Sequence, residues 1–198
     1  MIYTIVLVAL LSSFLTLPVL FNYVSGIPYE QYILAPSSRT LYPISVHGTN
    51  GTVSNSISLA RSLTGSCVFD GVSSATFNYQ KNIAGVVTLT IGTISSSDQF
   101  IGITFSESSL WISSKYSDAT ADGGRDETLW FQPTSSGGYT VSREHERGSF
   151  RHLTLVHNST GTLEVTHVET HFTPMPHYAE DNLRNYTGYF HSNDELLN

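Results

Sequence analysis

The chain opens with an apolar run from Ile5 to Phe21, interrupted by Ser12, Ser13, Thr16 and Pro18, and its first charged side chain is Glu30. Such a run, followed by the small residues of Val24-Ser25-Gly26, predicts a secretory signal over 1–26 cleaved after Gly26. An uncleaved signal anchor is the alternative, because the run approaches the roughly 20 residues needed to cross a bilayer. From about residue 85 the pattern changes to period-two alternation rich in β-branched residues, as in Val86-Val87-Thr88-Leu89-Thr90-Ile91 and Phe100-Ile101-Gly102-Ile103-Thr104-Phe105. That periodicity predicts strands.

Further strands are expected at Leu110 to Ser113, Thr128 to Phe131, Tyr139 to Ser142, Phe150 to His157 and Leu163 to Phe172. Turn chemistry separates them: Asp122-Gly123-Gly124, Ser136-Gly137-Gly138 and Asn158-Ser159-Thr160-Gly161. Short strands at this spacing imply an all-β fold, an antiparallel β-sandwich or jelly roll. Residues 27 to 84 are rich in Ser, Asn, Gly and Thr, with apolar islands at Tyr42 to Val46, Ile57 to Leu63 and Cys67 to Phe69 that suit outer strands. Pro174 and Pro176 then end the last long strand. The expected organisation is therefore a signal peptide over 1–26, a β-sandwich over 27–175 and a linker from 176 to 198.

Ser192-Asn193-Asp194-Glu195 fits a capping box, with a serine at the start of a helix and a glutamate three positions on, ahead of Leu196 and Leu197. One turn is too short to hold itself as a helix, since isolated helices below roughly 12 residues are marginal. Residues 176–198 are accordingly expected to be a linker and the first turn of a helical module beyond Asn198. An accidental match in a frayed tail is the plain alternative.

Composition narrows the chemistry. The length remaining after a leader suits one domain with a sizeable core. Cys67 is the single cysteine, which excludes an internal disulfide and is expected as a buried thiol. The net charge of −7, with nine scattered Lys and Arg, argues against a nucleic-acid partner, and cleavage of the leader leaves no membrane partner. Three sequons, at Asn50, Asn158 and Asn185, agree with export and are candidate N-glycosylation sites in a secreted, extracellular protein.

No signature for a serine nucleophile, a zinc protease, a phosphate-cradling loop or a dinucleotide fold occurs, and no cofactor is expected. The run Asp118 to Glu127 carries four carboxylates and Arg125. Calcium is one reading of it, but the spacing departs from an EF-hand loop and a solvated hairpin partly neutralised by Arg125 is the plainer one. Arg143-Glu144-His145-Glu146-Arg147 reads as a mixed-charge surface loop. His167, Glu169 and His171 share one face of a strand, which fits either a metal or a solvent face. Trp111 and Trp130 alternate with Leu110, Ile112, Leu129 and Phe131, which places each tryptophan on the face opposite those neighbours. Packing against a following domain is the expected use of that aromatic face, and stacking on a sugar ring is the alternative.

The segment 186–198, Tyr-Thr-Gly-Tyr-Phe-His-Ser-Asn-Asp-Glu-Leu-Leu-Asn, resembles the junction that opens the helical module in fungal α-L-rhamnosidase-like proteins of glycoside hydrolase family 78. Residues 117–131 and 145–157 look similar to the same proteins, so the likeness spans about 109–198. The resemblance implies a β-sandwich ahead of an (α/α)6 toroid whose two carboxylates perform inverting hydrolysis of terminal α-L-rhamnosides. Those carboxylates lie beyond the junction, so no catalytic residue is assigned in this chain, and its expected partner is its own C-terminal helical domain. Two other classes stand beside this one: a carbohydrate-binding module, which requires Trp111 or Trp130 exposed beside polar groups, and a purely structural extracellular domain.

Overall fold

The computed structural model describes residues 33, 35–61, 65–118, 125–179, 183–185 and 192. The leader, Asp122 to Gly124 and the capping-box residues after Ser192 lie outside the described residues. The fold falls within the compact unit Leu34–Tyr189. Among the described residues it is built of strands and short 3-10 turns: β1 (Thr40–Leu41), β2 (Ser45–Ser54), β3 (Cys67–Ile94), β4 (Ile101–Ser106), β5 (Tyr116–Asp118), β6 (Arg125–Glu127), β7 (Leu129–Phe131), β8 (Gly137–Thr140), β9 (Arg147–His157) and β10 (Thr162–Phe172).

β3 organises the molecule. Its first half pairs antiparallel with β2 on one side and β9 on the other, and β9 pairs with β4, which pairs with β7. Its second half lies between β8 and β10, and β1 closes the far edge of β10. Along β10 and this half of β3 the numbering rises on one strand as it falls on the other, Val168 opposite Leu89 and Phe172 opposite Gly85. Eight strands are thereby joined into one sheet folded into two layers, a β-sandwich, with β5 and β6 forming a separate ribbon. The transfer between layers occurs between the Asn78–His152 and Ile83–Phe150 pairs, where β3 carries extra residues in a bulge. Gln80 takes a left-handed φ of 65° there, and its amide donates to Asn78 Oδ1 at 2.6 Å.

Alternation fills the space between layers. Cys67, Phe69, Ala75 and Phe77 from the first half of β3 face inward, as do Val87, Leu89 and Ile91 from the second. Ile101, Ile103 and Phe105, Leu153 and Leu155, and Leu163, Val165, Val168 and Phe172 complete the core. Burial of such aliphatic and aromatic area is the main favourable term for a chain without disulfides. Burial pushes the Cys67 thiol up to about 12, leaving it a protonated, unreactive part of that core.

The chain leaves β10 under a buried guanidinium. Arg39 donates through Nη1 to the carbonyls of Phe172 and Pro174, at 2.9 and 3.0 Å, and through Nη2 to those of Met175 and Tyr178, at 2.6 and 2.8 Å. The strand does end at Phe172, ahead of Pro174 and Pro176 as their missing amide hydrogens require.

Several elements differ from the sequence reading. The strand expected from residue 85 begins at Cys67 and is central rather than outer. Ile57 to Leu59 lie in a 3-10 turn instead of a strand. Leu110 and Trp111 also lie in a 3-10 turn, Ser109–Trp111, started by Ser108, whose hydroxyl accepts from the Leu110 amide at 3.2 Å. Such local serine bonding competes with strand formation.

Candidate functional site

The outer face of the first layer is laid out in cross-strand rows. One row runs Asn50, Ser74, Val156, Gly102, Trp130 across β2, β3, β9, β4 and β7. The next runs Gly48, Thr76, Thr154, Thr104, with the Thr76 and Thr154 hydroxyls bonded at 2.9 Å. Residues 108–118 strap across this face. Thr104 Oγ1 donates to the Ser113 carbonyl at 2.6 Å, Thr128 Oγ1 to that of Ser114 at 3.3 Å and Ser106 Oγ to that of Ser108 at 2.5 Å, while the Phe105 amide donates to Ser117 Oγ at 3.1 Å. The buried hydroxyls of the sheet thus fix the strap.

The strap and the strands enclose a groove of about 340 Å³ lined by Val72, Lys115, Tyr116, Glu127, Trp130 and Asn158 among others. Trp130 is 44% exposed, Tyr116 41% and Val72 70%. Trp130 stands opposite Gly102 on β4, and a Cβ added at Gly102 would lie 2.8 Å from Cε3 and Cζ3 of the indole. The missing side chain therefore lets the ring lie down over the sheet. Trp111, 61% exposed, lines a smaller hollow of about 160 Å³ with Leu110 and Tyr116, so Tyr116 borders both depressions.

Both tryptophans accordingly present aromatic surface to solvent. Trp130 does so from the strand face opposite Leu129 and Phe131, as alternation requires, whereas Trp111 does so from a turn. Tyr116, Val72 and Gly102 escaped the sequence reading. A residue at the foot of a strap or beside a left-handed turn, such as Gly71 at φ 60°, carries no periodic signal.

Behind the groove, the floor is held by buried hydrogen bonds. His157 is fully buried, with Nδ1 2.7 Å from the Gly71 carbonyl and Nε2 2.7 Å from Gln99 Oε1. Burial pushes its pKa down, against the opposing pull of the Gly71 carbonyl and the Asp70 carboxylate. Gln99 Nε2 donates to the Thr160 carbonyl at 2.8 Å, and the Phe100 amide donates to Ser159 Oγ at 2.8 Å. The turn carrying Asn158 is held by these bonds, and Asn158 itself is exposed.

The two charged loops of the sequence meet at another hollow, of about 460 Å³, lined by Asp126, Glu127, Glu144, His145, Glu146 and Arg147 together with Phe105 and its neighbours. Arg147 pairs with Asp126, donates to the Asp118 carbonyl at 3.3 Å and lies 5.8 Å over the Phe105 ring. Among the described side chains, the cation paired with this acidic run is Arg147. His167 and Glu169 do share a face, at 3.5 Å. Among the described residues no group of His, Cys, Asp and Glu is arranged to hold a metal ion. Asn50 is exposed on β2, and Asn185 lies in a 3-10 turn, Leu183–Asn185.

No protein-family model matches the chain, and no curated protein does. Solved structures do. Reduced XRCC1 bound to the DNA pol beta catalytic domain matches at TM-score 0.49 and 11% identity, over 68% of this chain and 99% of that one. The CBM32 of AlyQ, in complex with 4,5-unsaturated mannuronic acid, matches at TM-score 0.34 and 12% identity, over 65% and 96%. CpGH89CBM32-6 of Clostridium perfringens matches at TM-score 0.36 and 14% identity, over 64% and 94%.

Proposed function

We propose that this domain is a non-catalytic carbohydrate-binding module whose ligand sits in the Trp130 groove. The observation that carries the reading is an indole lying flat over Gly102, half open to solvent, with Tyr116 beside it and Lys115, Glu127 and Asn158 on the rim. The C–H face of a pyranose is apolar and its edge is a ring of hydroxyls. An exposed aromatic plate supplies the first contact, and the ammonium, carboxylate and amide of the rim supply the second. An apolar platform with a few convergent polar groups is the ordinary form of a small-molecule binding site. The charged hollow beside Arg147 offers no comparable plate.

Isothermal titration against neutral and acidic oligosaccharides tests the reading. Saturable binding is expected, and Trp130→Ala should weaken it by about tenfold, the ~1.4 kcal/mol scale of one aromatic contact. Absence of binding across the panel would sink the proposal.

A second reading follows from the likeness of residues 186–198 to a family 78 junction, and it makes this module the front of a secreted α-L-rhamnosidase-like enzyme. It is tested by the coding sequence past Asn198 and by a nitrophenyl α-L-rhamnoside assay of the full product beside the 198-residue chain. Helical repeats and activity in the long form are expected. A stop codon at Asn198 with a folded product would overturn it.

A further inference from the structure

The Asn158 sequon opens into the groove itself. Asn158 is an exposed lining residue of the same depression as Trp130, Tyr116 and Val72. Its turn is pinned by the Asn158 backbone amide donating to the Phe100 carbonyl at 3.2 Å, by Ser159 and by the Thr160 carbonyl, so the backbone that carries the side chain has a defined place on the rim. Asn50, the other sequon on this face, lines a neighbouring hollow walled by Ser74, Thr76, Ser113, Lys115 and Thr154, which offers hydroxyls and no aromatic ring.

We propose that Asn158 carries an N-linked glycan whose first sugar rings lie in the groove against Trp130, so that in the exported protein the aromatic plate is covered by the chain's own sugar. The inference rests on the reading of the groove as a surface for pyranose rings. In the modification, Asn158 Nδ2 bonds to the anomeric carbon of an oligosaccharide carried on a lipid pyrophosphate. The bond from that carbon to the pyrophosphate oxygen breaks, the lipid pyrophosphate leaves with the electron pair, and the amide gives up one proton.

A sugar tethered at the rim acts at an effective concentration in the millimolar range. It therefore competes with free oligosaccharide, and the glycosylated form should bind free ligand about tenfold more weakly than the unglycosylated form. The groove is then set by processing: closed when the glycan is present, open when it is trimmed or absent.

The test uses the whole chain exported from a glycosylating host, in a Trp111→Phe background that leaves Trp130 as the fluorophore. Asn158→Gln, Asn50→Gln and Thr160→Ala are compared by peptide mass, by acrylamide quenching and by oligosaccharide titration. Occupied Asn158, protection of Trp130 from quenching, and loss of that protection in Asn158→Gln and Thr160→Ala but not in Asn50→Gln are expected. An unmodified Asn158, or a modified one that leaves Trp130 as quenchable as in Asn158→Gln, overturns the inference. Protection of Trp130 together with no binding of free sugar by Thr160→Ala, which removes the sequon and keeps the Asn158 amide, supports the inference and overturns the carbohydrate-module reading, so the two fail separately.

Discussion

Gly102 and Trp130 act as one device, because the indole occupies the volume a side chain on β4 would need. Gly102→Ala is expected to tilt the ring off the sheet and weaken oligosaccharide binding by about tenfold while the protein stays folded; titration beside a thermal melt checks both halves. A different residue sets the response to acid. His152 is buried beside His47, their rings 5.1 Å apart, and its pKa is held below the ordinary value by burial first, then by His47 and Arg151, against the Ser106 and Glu107 carbonyls. A depressed folded pKa means that its contribution is complete above the unfolded value, about 6.5, and is lost as pH falls through the folded one. Denaturant midpoints should be level from pH 8 to 7 and fall below about 6.5, with a smaller fall in His152→Gln. At this scale Trp130 was legible because strand alternation throws it outward, while Gly102 was not, since its role depends on a partner 28 positions along the chain.

At the scale of elements, β3 carries both layers, so its inward side chains are the most consequential in the fold. Phe77 is fully buried, and Phe77→Ala should cost about 3–5 kcal/mol in chemical denaturation. Arg39 secures the exit from β10 through four carbonyls that a lysine cannot reach together. Arg39→Lys is expected to lower stability by about 2 kcal/mol and to expose 172–178 to proteolysis, read by limited digestion. Alternation announced β4, β9 and β10 because large aliphatics mark their inner face. The first half of β3 was hidden because small residues, Ser73 and Ala75, hold inward places there and Gly71 interrupts the period at a left-handed φ. The strand assigned at Leu110 failed for a local reason, the Ser108 hydroxyl capturing the Leu110 amide.

For the whole molecule, the all-β class followed from pattern, and the groove did not. Val72, Tyr116, Trp130 and Asn158 come from four separated segments that become neighbours when β3, β9, β4 and β7 align and the strap bonds down on Thr104 and Thr128. No spacing in the chain encodes that meeting. The most direct test is the indole N–H spectrum of the isotope-labelled, unglycosylated protein during titration with oligosaccharide, since the two tryptophans give two resolved probes. A saturable shift of the Trp130 signal, with its midpoint at about tenfold higher oligosaccharide in Gly102→Ala, is the predicted result. Signals that stay fixed for every sugar, or a shift confined to Trp111, would contradict a carbohydrate site in the Trp130 groove.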